Sequence, residues 1–185
     1  MLYTQFKISD PEKFNDFQKL YQHMVTVRTP DFNFDIDMQA IDWATITPEE
    51  EELLFDEELQ QEKRYRDLFP AYAQTFIDRY LKFENERLGP IGVQGVISIM
   101  NYLEYDFEVE MDQLEKQNEN LGLVQFSTGN YPFGGMERFL MVLRAFECIP
   151  TECYDGFTVS EFDWTSEFEH NAIDLPEKTE AYLKN

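Results

Sequence analysis

Between Glu104 and Asp112 the sequence alternates strictly between acidic and apolar or aromatic residues, as E-Y-D-F-E-V-E-M-D. Successive side chains of a β-strand point to opposite faces, so this pattern predicts a strand with two unlike faces. Like charges in a row repel one another, and the segment contains no Lys or Arg to offset them. We expect either a solvated strand face or a surface that binds a cation-rich partner. At steps of roughly 6.6–6.8 Å, one face would present five carboxylates, those of Glu104, Asp106, Glu108, Glu110 and Asp112.

The apolar residues around this segment fit two kinds of secondary structure. A strand is supported by a set that falls on odd positions: Ile97, Ile99, Leu103, Tyr105, Phe107, Val109 and Met111. A helix is supported by a second set at helical spacing: Val96, Met100, Leu103, Phe107, Met111 and Leu114. Because Val, Ile, Tyr and Phe are common in strands, we favour the strand and keep the helix as the alternative over 96–112.

The chain is strongly acidic, with 37 Asp and Glu against 15 Lys and Arg and a formal net charge of −22. Its 185 residues are 43% hydrophobic and 16% aromatic, which is enough apolar material for a folded core. A surface of this charge repels nucleic acid and anionic membranes, and attracts basic proteins or cations. We therefore expect no direct nucleic-acid binding and no membrane partner.

The two cysteines and the first ten residues bear on the compartment. Cys148 and Cys153 are too few for a disulfide framework and match no zinc-binding spacing, so we expect ordinary thiols. The first ten residues have no basic region followed by an apolar stretch, and no apolar stretch is long enough to span a membrane. These patterns predict a cytoplasmic protein.

The first half of the chain is predicted to be mainly helical. A helix is expected over 9–28, with Ser9 as its N-cap. Thr47–Glu50 has the spacing of a capping box and opens a second helix, which Pro70 breaks before a further helix over 71–87.

A stretch rich in Gly and Pro, 88–95, separates this half from the second. The elements expected beyond it are a strand from 97 to 111, a polar connector over 113–122, a strand over 123–128, a helix over 136–148, a strand over 152–164 with a turn at Asp155-Gly156, and a helix over 171–183 entered near Pro176. This order predicts an α+β fold with N-terminal helices followed by a small antiparallel or mixed sheet in β-β-α-β-α order. We expect a single domain over 1–185, with a helical part at 1–88 and a sheet-containing part at 95–185.

The segment Asp31–Asp42 partly matches a calcium-binding EF-hand loop. Its sixth position is Ile36, where the loop needs Gly for a sharp turn, and its last position is Asp rather than the longer Glu. An alternating strand or loop is therefore favoured, and we expect no cofactor. The candidate metal ligands, at loop positions 1, 3, 5, 7, 9 and 12, are Asp31, Asn33, Asp35, Asp37, Gln39 and Asp42.

Catalytic motifs are lacking in the sequence. His23 and His170 are the only side chains with an ordinary pKa near neutrality, and neither has a partner at a spacing typical of a metal site or a catalytic triad. The sequence has no P-loop and no G-x-G-x-x-G motif. We therefore predict that the protein is not an enzyme.

A second acidic segment, 145–177, has nine acidic residues and no Lys or Arg. Two such segments predict a directional negative field, to which we assign Glu161 and Asp163 together with the carboxylates of 104–112. The hypothesis is an acidic protein that occludes a basic partner, such as a toxin, a nuclease or another nucleic-acid-binding protein. It would act as an inhibitor of immunity or antitoxin type, or as a nucleic-acid mimic. The alternatives are a structural or regulatory interaction module and an enzyme that uses carboxylates or a divalent metal.

Overall fold

Helices and an antiparallel sheet build this α+β protein, as the sequence predicted. The computed structural model describes residues 1–34, 41–42, 44–89, 94–128 and 135–184. Within them the strands are β1 (Leu2–Ile8), β2 (Glu110–Asn118), β3 (Leu121–Ser127), β4 (Cys148–Tyr154), β5 (Val159–Trp164) and β6 (His170–Asp174). The helices are α1 (Pro11–Val27), α2 (Pro48–Phe55), α3 (Glu57–Leu68), α4 (Ala71–Leu88), α5 (Val96–Asn101), α6 (Met136–Ala145) and α7 (Pro176–Leu183), and α5 continues directly into a π-helical segment, Tyr102–Asp106.

The first strand of the chain lies inside the sheet. The described strands form one antiparallel sheet in the order β2-β3-β1-β4-β5-β6, in which β1 pairs with both β3 and β4. The predicted order, N-terminal helices followed by β-β-α-β-α, is therefore wrong, because a strand precedes the first helix and three strands follow α6. Leu2, Tyr3 and Thr4 are all buried, and a strand buried on both faces lacks the alternation by which strands are recognised. The division into parts 1–88 and 95–185 stays a prediction.

Local capping accounts for where the early helices begin. Asp10, rather than the expected Ser9, caps α1, since its side chain accepts a hydrogen bond from the backbone N–H of Glu12. The predicted capping box at Thr47–Glu50 is present and opens α2. Asp56 ends α2 and caps α3, so what we expected as one helix is two, and Pro70 separates α3 from α4 as expected.

Phenylalanine rings fill the space between the sheet and the helices α1 and α6. The ring centroids of Phe6 and Phe17 lie 6.0 Å apart, and Phe139 on α6 lies 6.1 Å from Phe126 on β3. Gly122 lies opposite Phe6 in the sheet, and a Cβ atom at that position would collide with the ring. Each fully buried Phe contributes on the order of 1.5–3 kcal/mol, so this layer fixes the helices against the sheet.

The strand predicted over Ile97–Met111 is wrong. The chain is helical from Val96 to Asp106 and enters β2 only at Glu110. Met100, which belongs to the helical set alone, is fully buried, whereas Tyr105 of the strand set is 50% exposed. Tertiary packing of this segment overrides the strand preference of its individual residues.

Two other segments also differ from the expected structure. The predicted polar connector, 113–122, belongs largely to β2 and β3, and β2 is an edge strand that is mostly exposed, so it lacks an apolar pattern. The predicted helix over 171–183 is helical only from Pro176, because the preceding residues form β6.

Candidate functional site

The five carboxylates predicted to share one strand face do not do so. Glu104 lies in the π-helical segment and its side chain is fully buried, whereas Asp106, Glu108, Glu110 and Asp112 are exposed. The regular spacing expected of a strand is therefore absent, and Glu104 is not available to a partner at the surface. The remaining four carboxylates form what we call the 106–112 segment.

Glu104 is held by two basic side chains from different helices. Its Oε1 atom accepts hydrogen bonds from His23 Nε2 and from Arg64 Nε, each at 2.8 Å, and its Oε2 atom accepts one from Arg64 Nη2 at 2.9 Å. Burial by itself would raise the pKa of Glu104, but the hydrogen bonds from His23 and Arg64 outweigh burial and lower the pKa below its ordinary value. The carboxylate therefore stays ionised at neutral pH and ties the π-helical segment to α1 and α3.

Aromatic side chains cover this cluster on one side. The guanidinium of Arg64 lies 4.1 Å from the centroid of the Phe34 ring, and Phe34 also contacts the rings of His23 and Tyr105 at centroid distances of 6.3 Å. Tyr105 is 50% exposed. The π-helical segment closes with the hydrogen bond from the backbone N–H of Phe107 to the carbonyl of Tyr102, and π-helical turns are rare and frequent at functional sites.

Arg28 fixes the backbone that follows the π-helical segment. Its Nε atom donates to the carbonyl of Val109 and its Nη2 atom to the carbonyl of Phe107, both at 2.9 Å, while Nη1 donates to Met24 at the end of α1. Burial lowers the pKa of Arg28, and the neighbouring Glu110 acts in the opposite direction. An arginine remains charged throughout the physiological range, so these three hydrogen bonds are retained.

A cleft of about 370 Å³ opens beside these residues. Its walls include the carboxylates of Glu108 and Glu110, the ring of Tyr105, and Val109. The cleft thus combines exposed negative charge with an apolar surface.

The four carboxylates of the 106–112 segment form no ion pair with any described residue. The residues outside the description contain no Lys or Arg. Arg28 lines the same cleft and interacts electrostatically with Glu110, but it forms no ion pair with it. Asp112 accepts a hydrogen bond from the Ser127 hydroxyl at 3.3 Å, which leaves its charge in place.

Glu161 and Asp163 lie in another part of the sheet. Both are exposed on β5, which is separated from β2 by β3, β1 and β4. Four steps between neighbouring strands amount to roughly 19 Å, so the structure does not bring these two residues together with the 106–112 segment.

The proposed calcium loop falls mostly outside the described residues, to which Asp35, Asp37 and Gln39 do not belong. Asp31 adopts a left-handed backbone conformation in a turn, and the Asp42 side chain accepts a hydrogen bond from the backbone N–H of Ala44. No group of three or more His, Cys, Asp or Glu within the described ranges is arranged to hold a metal ion.

Cys148 and Cys153 are both free thiols, as predicted, and both are buried. Burial raises the pKa of each thiol to about 12. A nucleophilic cysteine needs a lowered pKa and access to solvent, so neither residue has the character of a catalytic thiol.

The cationic side chains that organise this site were not predicted from the sequence. Arg28 and Arg64 come from segments assigned only a helical role, and His23 was considered only as a possible catalytic or metal-binding residue without a spaced partner. Only the helical alternative over 96–112 offered a signal, because helical spacing places Glu104 on the same face as the buried Met100, four residues earlier, rather than on a solvated strand face.

Comparison of the chain with protein-family models, with curated proteins and with solved structures found no match. In the part of the chain that the structure describes, no helix combines the length and the apolar character needed to cross a membrane.

Proposed function

We propose that this protein binds and occludes a basic partner protein through the 106–112 segment and the adjoining cleft. The observation that supports this most directly is the set of four exposed carboxylates with no ion pair to the rest of the described chain. The partner class is a toxin, a nuclease or another nucleic-acid-binding protein, because these proteins present clustered Lys and Arg. The mechanism is steric, so it requires no catalytic group and no cofactor.

The net charge of −22 acts on the rate of association. A field of one sign steers an oppositely charged protein toward its binding surface, and this effect weakens as salt is added. Glu161 and Asp163 contribute to this long-range field rather than to the contact, since they lie on a distant strand.

The segment is also held in place before a partner arrives. Arg28 bonds the carbonyls of Phe107 and Val109, and the preceding Glu104 is bonded to His23 and Arg64. A fixed backbone loses little conformational entropy on binding, which preserves affinity.

The cleft supplies a contact beyond charge. A Lys or Arg side chain of the partner has an apolar stem and a cationic end, which suit the Tyr105 ring and the carboxylates of Glu108 and Glu110 respectively. Binding of the partner does not require evenly spaced carboxylates along a strand. It depends on local unpaired charge beside an aromatic surface.

The experiment is capture of partners from a lysate of the source organism at low and at high salt, read by mass spectrometry. The test variant replaces Glu108, Glu110 and Asp112 by Lys. We expect the wild-type protein to retain a basic protein at low salt and to release it at high salt. The purified candidate should then associate with the test variant at least tenfold more slowly, because two or three like charges now face it.

The matched control replaces Glu52, Glu58 and Glu86 by Lys, which changes the net charge equally at exposed helical positions that do not line the cleft. It should retain most of the association rate. If both triple variants lose binding to the same degree, the net charge rather than the 106–112 segment mediates the interaction. If neither loses it, the proposal is wrong.

A further inference from the structure

A second cavity, of about 530 Å³, lies between α4, α6 and the residues that lead into β6. It is separate from the cleft beside the 106–112 segment, because the two have no lining residue in common. Both its size and its enclosure by several elements are typical of sites for small molecules. The titratable side chains that line it and matter here are Tyr80, Glu84, Arg87, Glu137, Arg138 and His170.

Two largely buried side chains of this cavity carry a polar group that has no hydrogen-bonding partner among the described residues. Tyr80 is only 4% exposed, and its hydroxyl forms no hydrogen bond with a described residue. The side chain of His170 is 8% exposed, and its Nε2 atom lies 3.8 Å from Glu137 Oε1, which is too far for a hydrogen bond. Within the described ranges the only fully enclosed polar side-chain atom without a partner is the Tyr65 hydroxyl, so the polar atoms of Tyr80 and His170 open into the cavity and are free to bond to a molecule that enters it.

Neighbouring rings and charges fix these two groups in place. The His170 ring lies 4.8 Å from the Phe162 ring and 4.7 Å from the Trp164 ring, measured between centroids. Burial, with the nearby carboxylate of Glu84, raises the pKa of Tyr80 to about 12. The Tyr80 hydroxyl therefore remains protonated and available to donate a hydrogen bond at neutral pH.

Charges of both signs face the cavity. The Glu84 side chain is 10% exposed and forms an ion pair with Arg87 at 2.9 Å. The Arg138 guanidinium is held by the side chain of Gln94 and lies over the Tyr102 ring. Three carboxylates, those of Glu84, Glu137 and Glu169, line the cavity together with two guanidinium groups. A purely anionic ligand is therefore repelled by the carboxylates, and a purely cationic ligand by the arginines.

We propose that this cavity binds a small zwitterion of the α-amino acid type. The ligand carboxylate accepts hydrogen bonds from Arg138 and the Tyr80 hydroxyl, and the ligand ammonium group is bound by Glu84 and Glu137. Phe168, which lines the same cavity and packs against Tyr80 at a centroid distance of 5.9 Å, supplies an apolar wall for the ligand side chain. This site is independent of the surface that binds the basic partner.

The experiment is isothermal titration of the full-length protein with free L-amino acids, one at a time, at millimolar concentration. For each amino acid that binds, the titration is repeated with its N-acetyl form, which lacks the ammonium charge, and with its amide, which lacks the carboxylate. We expect at least one amino acid to bind and both blocked forms to bind at least tenfold more weakly. No binding by any amino acid would overturn the proposal, and so would equal binding by either blocked form.

Tyr80→Phe locates the site, because it removes the hydroxyl and keeps the ring. Loss of one hydrogen bond to a charged ligand predicts an affinity about tenfold lower. Tyr65→Phe is the matched control, since the Tyr65 hydroxyl is also buried and unpartnered among the described residues but lies outside the cavity. Affinity should be unchanged in Tyr65→Phe. An equal loss in both variants, or no loss in Tyr80→Phe, would show that the ligand binds elsewhere.

Discussion

The 106–112 and 145–177 segments look alike in sequence and differ in the folded protein. Both are acidic and contain no Lys or Arg. In the 145–177 segment several acids meet cations from elsewhere in the chain, as Glu147 meets Lys13, Glu152 meets Lys178 and Glu167 meets Arg79. The four carboxylates of the 106–112 segment form no such ion pair with a described residue, although Arg28 lies near Glu110. A charge imbalance along the sequence is thus a poor guide to a charge imbalance in space.

Other acids of the 145–177 segment shape the backbone instead. The Asp155 side chain accepts hydrogen bonds from the backbone N–H groups of Phe157 and Thr158 at the β4–β5 turn, and Asp174 accepts one from the Ser160 hydroxyl. Most of this segment's acids therefore have a structural partner. The carboxylates of the 106–112 segment have no ion pair with a described residue, and for this reason we propose the partner surface there.

The largest expected effect concerns Glu104, the buried carboxylate that directly precedes the four exposed carboxylates of the 106–112 segment in the sequence. Glu104→Ala leaves Arg64 and His23 largely buried without their anion, and we expect a loss of about 3 kcal/mol in the free energy of unfolding. Chemical denaturation measures this loss. The control is Glu108→Ala, an exposed neighbour that should change stability by less than about 0.5 kcal/mol. Equal effects would mean that burial does not distinguish the two positions.

The same carboxylate has a predictable dependence on pH. Its pKa is lowered in the folded protein, so its stabilising contribution is complete above the ordinary pKa of a Glu side chain, about 4.3, and is lost as the pH falls through the lower folded value. The difference in unfolding free energy between wild type and Glu104→Gln should therefore shrink as the pH falls below about 4. A constant difference down to low pH would contradict the assignment.

The next effect tests whether pairing in the 145–177 segment matters for stability. The Glu152 side chain is 11% exposed, accepts a hydrogen bond from the Tyr3 hydroxyl at 2.8 Å and pairs with Lys178. Glu152→Ala leaves the buried hydroxyl of Tyr3 without a partner and should cost about 1–3 kcal/mol. Glu161 lies directly opposite Glu152 in the sheet but is exposed, so Glu161→Ala is the control and should be nearly neutral in thermal denaturation.

The fold class was predictable from the sequence, and the placement of the acidic site was not. Caps and breakers such as Thr47 and Pro70 act locally, so the helices that they begin or end were located closely. The strand β1 was missed because burial on both faces removes its alternation. The acidic alternation at 104–112 satisfies a strand pattern, yet the chain is helical up to Asp106 and buries Met100, a residue of the helical set alone. Long-range contacts, such as Arg64 with Glu104, leave no trace in local spacing.

The smallest expected effect is a change in unfolding free energy that should have opposite signs when the two segments are neutralised. Neutralising the 106–112 segment, as Asp106→Asn, Glu108→Gln, Glu110→Gln and Asp112→Asn together, removes repulsion without removing an ion pair. We expect a gain of about 0.5 kcal/mol in unfolding free energy at low salt, which disappears at high salt because screening already weakens the repulsion.

The matched variant, Glu147→Gln with Glu167→Gln, removes two partly exposed ion pairs and should instead cost up to about 1 kcal/mol at low salt. Urea denaturation at two salt concentrations measures both changes. We expect the two changes in unfolding free energy to have opposite signs at low salt and to converge at high salt. This result requires that ion pairs compensate the charge of the 145–177 segment in the folded protein and do not compensate that of the 106–112 segment. The same sign in both variants would remove the physical basis for assigning the partner surface to the 106–112 segment.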